Sequence, residues 1–136
     1  MLTAQRMQVM VLDDHASLRR NLMALLEDEG FTVIAAGSGE EALQIIRTTA
    51  VDAVIVDIRL PGMNGNEFIA AAHALRPALH FVIHTGTADY VIPDELRGFG
   101  ITEDSVFIKP VSDTGAIFSR LRRFSEIKQA TTTEQK

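Results

Sequence analysis

Five short runs rich in Val and Ile recur along the chain: "QVMVL" (8–12), "TVIAA" (32–36), "AVIVDI" (53–58), "FVIHT" (81–85) and "VFIK" (106–109). Their residues are apolar at successive rather than alternate positions, the pattern of strands covered on both faces. Helical spacing fills the intervals. In "ASLRRNLMALLEDEG" apolar residues fall at Leu18, Leu22, Leu25 and Leu26, and Gly30 follows as a stop. "SGEEALQIIRTTA" opens with Ser38 three residues before Glu41, a capping-box spacing, and carries Ala42, Leu43, Ile45 and Ile46. "NEFIAAAHALRP" is alanine-rich and stops at Pro77.

The fourth interval breaks this rhythm. Pro93, Gly98 and Gly100 leave room for only a turn or two of helix around 93–98. A last helix is predicted over roughly 112–128, with Ile117, Leu121 and Phe124 on one face. No repeat or linker divides the chain, so residues 1–126 read as one domain and 127–136 as a polar, frayed tail. Strands alternating with helices require right-handed crossovers, hence an open parallel sheet between two helical layers. Ligands in such α/β sheets bind beyond the carboxyl ends of the strands.

Composition removes several function classes. The 136 residues are 46% apolar and 23% charged, as in ordinary globular domains. A net charge of −5, with "RLRR" (120–123) as the one basic cluster, argues against a nucleic-acid surface. No segment reaches the ~18–20 apolar residues of a membrane span. "MLTAQRMQ" lacks a signal peptide's apolar stretch, and without cysteine there are no disulfides or thiolate metal sites. A cytoplasmic protein is expected. A phosphate-binding glycine loop of either nucleotide-binding pattern is absent after the first strand.

The strand ends carry the chemistry. The first run leads into Asp13 and Asp14, the third into Asp57, the fourth into Thr85 and the fifth into Lys109. Each alone reads as a cap, a β-former or an edge charge. Together they put three carboxylates, a hydroxyl and an ammonium on one rim. Carboxylates so gathered repel unless one is protonated or a cation neutralises them. An all-oxygen site of this kind suits Mg²⁺, which commonly shares its coordination with phosphate. Lys109 adds a second positive charge and Thr85 a hydrogen bond, so the set suits a phosphoryl group, with Asp57 as nucleophile.

"VLDDH" (11–15), "VDIRLPGMNG" (56–65), "HTG" (84–86) and "FIKP" (107–110) resemble the response-regulator receiver domain of two-component signalling, over about residues 8–126. The resemblance implies a flavodoxin-like three-layer fold with a five-stranded parallel sheet of order 2-1-3-4-5, here with a short or irregular fourth helix. It implies that Asp57 is the phosphoacceptor and that Mg²⁺ is held by Asp13, Asp14, Asp57 and the backbone carbonyl of Arg59. Thr85 would bond the phosphoryl group, Lys109 would pair with it, and the Lys109–Pro110 bond would be cis. The donor would be a sensor histidine kinase or histidine phosphotransfer protein, docking through the helix that begins near Ala16. An unknown downstream protein would read the state, with neither nucleic acid nor membrane involved. Such a protein is no conventional enzyme, although it catalyses its own phosphorylation and dephosphorylation. Arg59 and Thr87 fall where such domains tune phosphoryl lifetime. His15 and His84, with no thiol or third histidine nearby, read as polar neighbours rather than ligands.

Two positions depart from the family pattern. Val106 stands where a switch Tyr or Phe is usual, and Phe107, one residue on, should face the opposite side of its strand. The interrupted fourth helix alters the usual output face as well. The tail is too short for an effector domain, so the chain reads as a single-domain receiver or phosphate sink. A receiver from a larger hybrid kinase and an unphosphorylated scaffold are the alternatives. A haloacid-dehalogenase-type phosphatase would want an Asp where Arg59 stands.

Overall fold

The computed structural model describes the backbone of residues 6–134 and the side chains of residues 6–126. Strands β1 (Gln8–Leu12), β2 (Thr32–Ala36), β3 (Ala53–Val56), β4 (His80–Thr85) and β5 (Val106–Ile108) form one sheet of order β2-β1-β3-β4-β5. Every pairing in it is parallel. Helices α1 (Ala16–Asp28), α2 (Gly39–Thr48), α3 (Gly65–Leu75), α4 (Asp94–Gly98) and α5 (Thr114–Glu134) alternate with the strands, and a 3₁₀ turn at Glu103–Ser105 leads into β5. The expected strand order and doubly covered sheet are therefore present.

Two apolar layers sandwich the sheet. Met10, Leu12, Val54, Val56, Phe81 and Ile83 pack on one face against α2, α3 and α4. Val9, Val11, Ile55 and Val82 pack on the other against α1 and α5. Successive strand residues thus enter opposite layers, which is why the runs are apolar throughout. Phe68 of α3, fully buried, meets Phe81 edge-on with centroids 6.4 Å apart. Burying a ring of this size contributes roughly 2–3 kcal/mol.

The helix ends follow local chemistry, with one revision. Ser38 Oγ accepts the Glu41 N–H at 3.1 Å, but the Glu41 carboxylate turns to the Gly37 N–H at 2.8 Å, so no reciprocal box forms there. The reciprocal box lies at α3, where Asn64 and Glu67 each accept the other's N–H at 2.9 Å. Gly30 ends α1 at φ +97°, in the left-handed region that glycine enters without penalty. The α4 segment makes only five helical residues, as Pro93 and the glycines predict. The last helix, expected to end near 128, runs to Glu134, so most of the predicted tail has helical backbone. The two final residues of that tail lie outside the described residues. Among the described residues, no helix is long and apolar enough to cross a membrane.

Candidate functional site

The parallel ladder pins Asp13, Asp57 and Lys109 just past their strands and Thr85 at the last position of β4. The Asp13 N–H donates to the Ala36 carbonyl at 3.2 Å, that of Asp57 to Leu12 at 3.0 Å, and that of Lys109 to Thr85 at 2.7 Å. The side chains of sequence-distant residues consequently meet at one rim. Asp13 and Asp57 are buried, at 4% and 5% exposure, and Thr85 is fully buried, whereas Asp14 is exposed. Lys109 Nζ reaches over both inner carboxylates, 2.8 Å from Asp13 Oδ2 and 3.4 Å from Asp57 Oδ2. The bond from Lys109 to Pro110 is cis.

The two buried carboxylates are not equivalent. Burial by itself raises both. For Asp13 the Lys109 hydrogen bond, the His15 N–H and the Lys109 charge outweigh it, and the carboxyl lies below its ordinary value. Asp57 sits farther from the ammonium and beside the charge of Asp13, so burial followed by that repulsion leaves it above its ordinary value, although Lys109 opposes the rise. The pocket therefore holds one firmly ionised carboxylate and one that is uncomfortable as an anion. Any bound cation relieves the second.

Ligand atoms of Asp13, Asp14, His15 and Asp57 all lie within 4.8 Å of one another. Three carboxylates make this an oxygen-rich set, and one ammonium leaves it short of positive charge, which fits a hard divalent ion. Arg59 is exposed in the following turn, with its N–H on Asp57 Oδ1 at 3.2 Å. The Thr85 hydroxyl accepts the Thr87 N–H at 3.2 Å, while the Thr87 hydroxyl is buried and without a hydrogen-bond partner among the described residues.

Three supports of the site were not expected from sequence. Arg19 Nη1 donates to the Asp13 carbonyl at 2.6 Å and steadies the turn after β1. Tyr90 packs against the α2–α3–α4 layer and donates to Asn66 Oδ1 at 2.7 Å, tying the loop before α4 to α3. His15 brings a nitrogen to the carboxylates. Only the Asn64–Glu67 box beside the site had a readable signal, its N-x-x-E spacing.

Val106 and Phe107 take opposite faces, as their alternation requires. The register of β5 on β4 is continuous, pairing Ile83 with Val106, His84 with Phe107 and Thr85 with Ile108. No bulge shifts the aromatic. Val106 meets the layer on the α4 side and Phe107 the layer under α5.

His84 is pushed down to about 4, first by burial and then by the Lys109 charge, against a smaller opposing pull from Asp13. A histidine depressed this way stays neutral in the fold while the unfolded chain takes up a proton. Its contribution to stability is complete above pH ~6.5, declines as pH falls and levels off near 4. Urea unfolding across that window should show the decline, and His84→Gln should flatten it. Equal slopes in both proteins would contradict this assignment.

Fold and site together define a doubly wound α/β domain whose carboxyl edge holds an acid cluster capped by a lysine. The model of the response regulator receiver domain family matches residues 9–122, and the chain belongs to that family. The DNA-binding response regulator MtrA of Mycobacterium tuberculosis is 32% identical over 123 residues, which are 87% of this chain and 52% of that protein. The chain spans about half the length of the curated relatives it matches. The CheY-like receiver domain protein of Methanospirillum hungatei matches with a TM-score of 0.77 at 24% identity, covering 93% of this chain and 99% of that one. Response regulator TrrA of Thermotoga maritima, in complex with Mg(2+)-BeF, matches with a TM-score of 0.75 at 24% identity, over 87% and 98% of the two chains. This is a receiver domain of the response regulators of two-component signalling.

Proposed function

We propose that Asp57 accepts a phosphoryl group from a phosphohistidine on a sensor kinase or phosphotransfer protein. The observation that carries this reading is the junction of Asp13, Asp57 and Lys109, in which a buried carboxylate of raised pKa lies beside a fixed ammonium. A carboxylate oxygen of Asp57 attacks phosphorus, the bond from phosphorus to the donor imidazole breaks, and that nitrogen keeps the electron pair. Lys109 pairs with the charge gathering on the phosphoryl oxygens. Thr85 exchanges its Thr87 N–H for a bond to one of them. Asp13, Asp14, Asp57 and the Arg59 carbonyl would hold Mg²⁺, which supplies neutralisation of the acid cluster and of the transferring group.

Hydrolysis by water at the same phosphorus returns the domain to its resting form, with Arg59 and Thr87 controlling access. The domain then works in the cytoplasm as a phosphorylation-controlled contact surface or a phosphate sink. A place inside a longer regulator is the second reading, supported by relatives about twice its length. Retention of all five site residues argues against an unphosphorylated scaffold.

Incubation with a small-molecule phosphodonor and Mg²⁺ should add one phosphoryl group labile to alkali and to hydroxylamine, and Asp57→Asn should add none. Because Asp57 is strained as an anion, the variant should melt at or above the wild-type temperature at neutral pH, which separates lost chemistry from lost fold. Wild-type protein that stays unlabelled would refute the phosphoacceptor reading.

A further inference from the structure

The imidazole of His15 stands in an unusual place for a residue that merely begins a helix. It precedes α1, and its side chain makes no cap hydrogen bond. Its Nδ1 instead lies 3.4 Å from Asp13 Oδ1 and 3.4 Å from Asp14 Oδ1, equidistant from two carboxylates. Both separations are longer than the 2.7–3.2 Å usual for an N–H···O hydrogen bond, roughly speaking. Ligands bound at ~2.0–2.1 Å to one ion, by contrast, lie about 3 Å apart when adjacent and about 4.2 Å apart when opposite. The 3.4 Å contacts and the 4.8 Å limit of the whole group are within a small side-chain adjustment of those spacings.

The surroundings leave that adjustment open. The His15 side chain is 65% exposed, so its ring can turn without disturbing the core. Its backbone is held, because the His15 N–H donates to Asp13 Oδ1 at 2.9 Å and its carbonyl accepts from Arg19 at 2.9 Å. An exposed imidazole on a hydrogen-bonded main chain thus borders the acid pocket.

An added nitrogen donor changes which ions the pocket prefers. Mg²⁺ takes oxygen ligands and gains little from imidazole, whereas Zn²⁺, Co²⁺ and Ni²⁺ bind it well. We propose that His15 acts as a nitrogen ligand alongside Asp13, Asp14 and Asp57, making this receiver pocket a site for first-row transition ions of the Zn²⁺ and Co²⁺ class. This assignment rests on the acid cluster being the receiver's divalent-cation site. It predicts that such ions compete with Mg²⁺ there, and that His15 alone sets the margin between them.

Isothermal titration of the full chain with Mg²⁺, Zn²⁺ and Co²⁺ tests the assignment in the wild type, His15→Ala and His15→Ser, the serine being a favoured N-cap residue that keeps the start of α1 in place. Zn²⁺ and Co²⁺ should bind the wild type at least 10-fold tighter than Mg²⁺. Both variants should lose roughly 10-fold or more for the transition ions while Mg²⁺ affinity stays within about 2-fold. The visible spectrum of the Co²⁺-loaded protein should change in both variants, a signature that a purely structural residue would not move. Transition-ion affinities within 2-fold of wild type in both variants, with an unchanged Co²⁺ spectrum, overturn the proposal. If that happens while Mg²⁺ still supports beryllofluoride binding, His15 alone has been misassigned. If beryllofluoride fails to bind while the His15-dependent Zn²⁺ affinity is present, the ligand assignment stands and the phosphoacceptor reading falls.

Discussion

Lys109→Met is expected to destabilise the domain by about 3–5 kcal/mol at neutral pH, the range seen when one partner of a buried ion pair is removed. Methionine keeps much of the apolar stem and deletes only the charge. What remains is Asp13 and Asp57, both nearly inaccessible to water, with the ammonium that bridged them at 2.8 and 3.4 Å gone. Their repulsion at the ~4.8 Å limit is on the order of 3 kcal/mol for an effective dielectric near 20. Proton uptake by Asp57, already raised, limits the loss, which is why the upper figure is not larger.

The sign of the pH dependence follows from Asp13. Its carboxyl is held below the ordinary value in the fold, so its stabilising contribution is present above the unfolded value and disappears as pH falls through the folded one. The difference between wild type and Lys109→Met should therefore be complete at pH 7 and shrink through the acid range. Millimolar Mg²⁺ should restore part of the loss by supplying the missing positive charge. Urea titrations at pH 7 with chelator, at pH 7 with Mg²⁺, and at a series of pH values below the ordinary carboxylate value of 3.8 measure all three. A variant as stable as wild type under chelator would show that Lys109 does not hold the acid pair together.

Gly65→Ala is the second large effect, and it is steric. A Cβ at this position would lie 2.5 Å from the Asp57 carbonyl oxygen and 2.7 Å from Ile58 Cα. Both obstacles are backbone, so no rotamer change relieves them. Gly65 also donates its N–H to the Ile58 carbonyl at 2.9 Å, which anchors the start of α3 against the turn after Asp57. The chain must either break that bond or push the Asp57 turn outward. Overpacking of this kind costs on the order of 3 kcal/mol, a fall in melting temperature of roughly 10 °C for a domain this size. Because the displaced atoms belong to the peptide of Asp57, the proposed phosphoacceptor, phosphoryl uptake should fall in the fraction that remains folded. An unchanged melting temperature, or a lowered one with full labelling per folded molecule, would show that the turn and the site are not coupled in this way.

These cases show why parts of the site were legible and others were not. Asp13, Asp57, Thr85 and Lys109 could be read because each follows an apolar run, and parallel crossovers send all such ends to one edge. That Gly65 is needed could be read only as a family motif. Its physical cause is a backbone contact seven and eight residues upstream that no periodicity encodes. Tyr90 and Asn66, 24 positions apart, carried no signal, since neither belongs to a strand end or a capping pattern. His15 was read as a polar neighbour because no further histidine or thiol accompanied it. Its partners are carboxylates, and their approach depends on how the turn after β1 is held by Arg19.

The sequence by itself determined the alternating elements, the doubly covered sheet, the interrupted α4 and the identities on the binding rim. All follow from local side-chain pattern and from the handedness of crossovers. The opposite facing of Val106 and Phe107 was likewise determined, because strand alternation leaves a one-residue offset no other result without a bulge. Only the tertiary structure decided how the charges divide. Lys109 lies closer to Asp13 than to Asp57, which holds one carboxylate ionised and leaves the other raised. That asymmetry comes from a fraction of an ångström between residues 96 and 52 positions apart, and it is set by sheet register and packing rather than by any local preference.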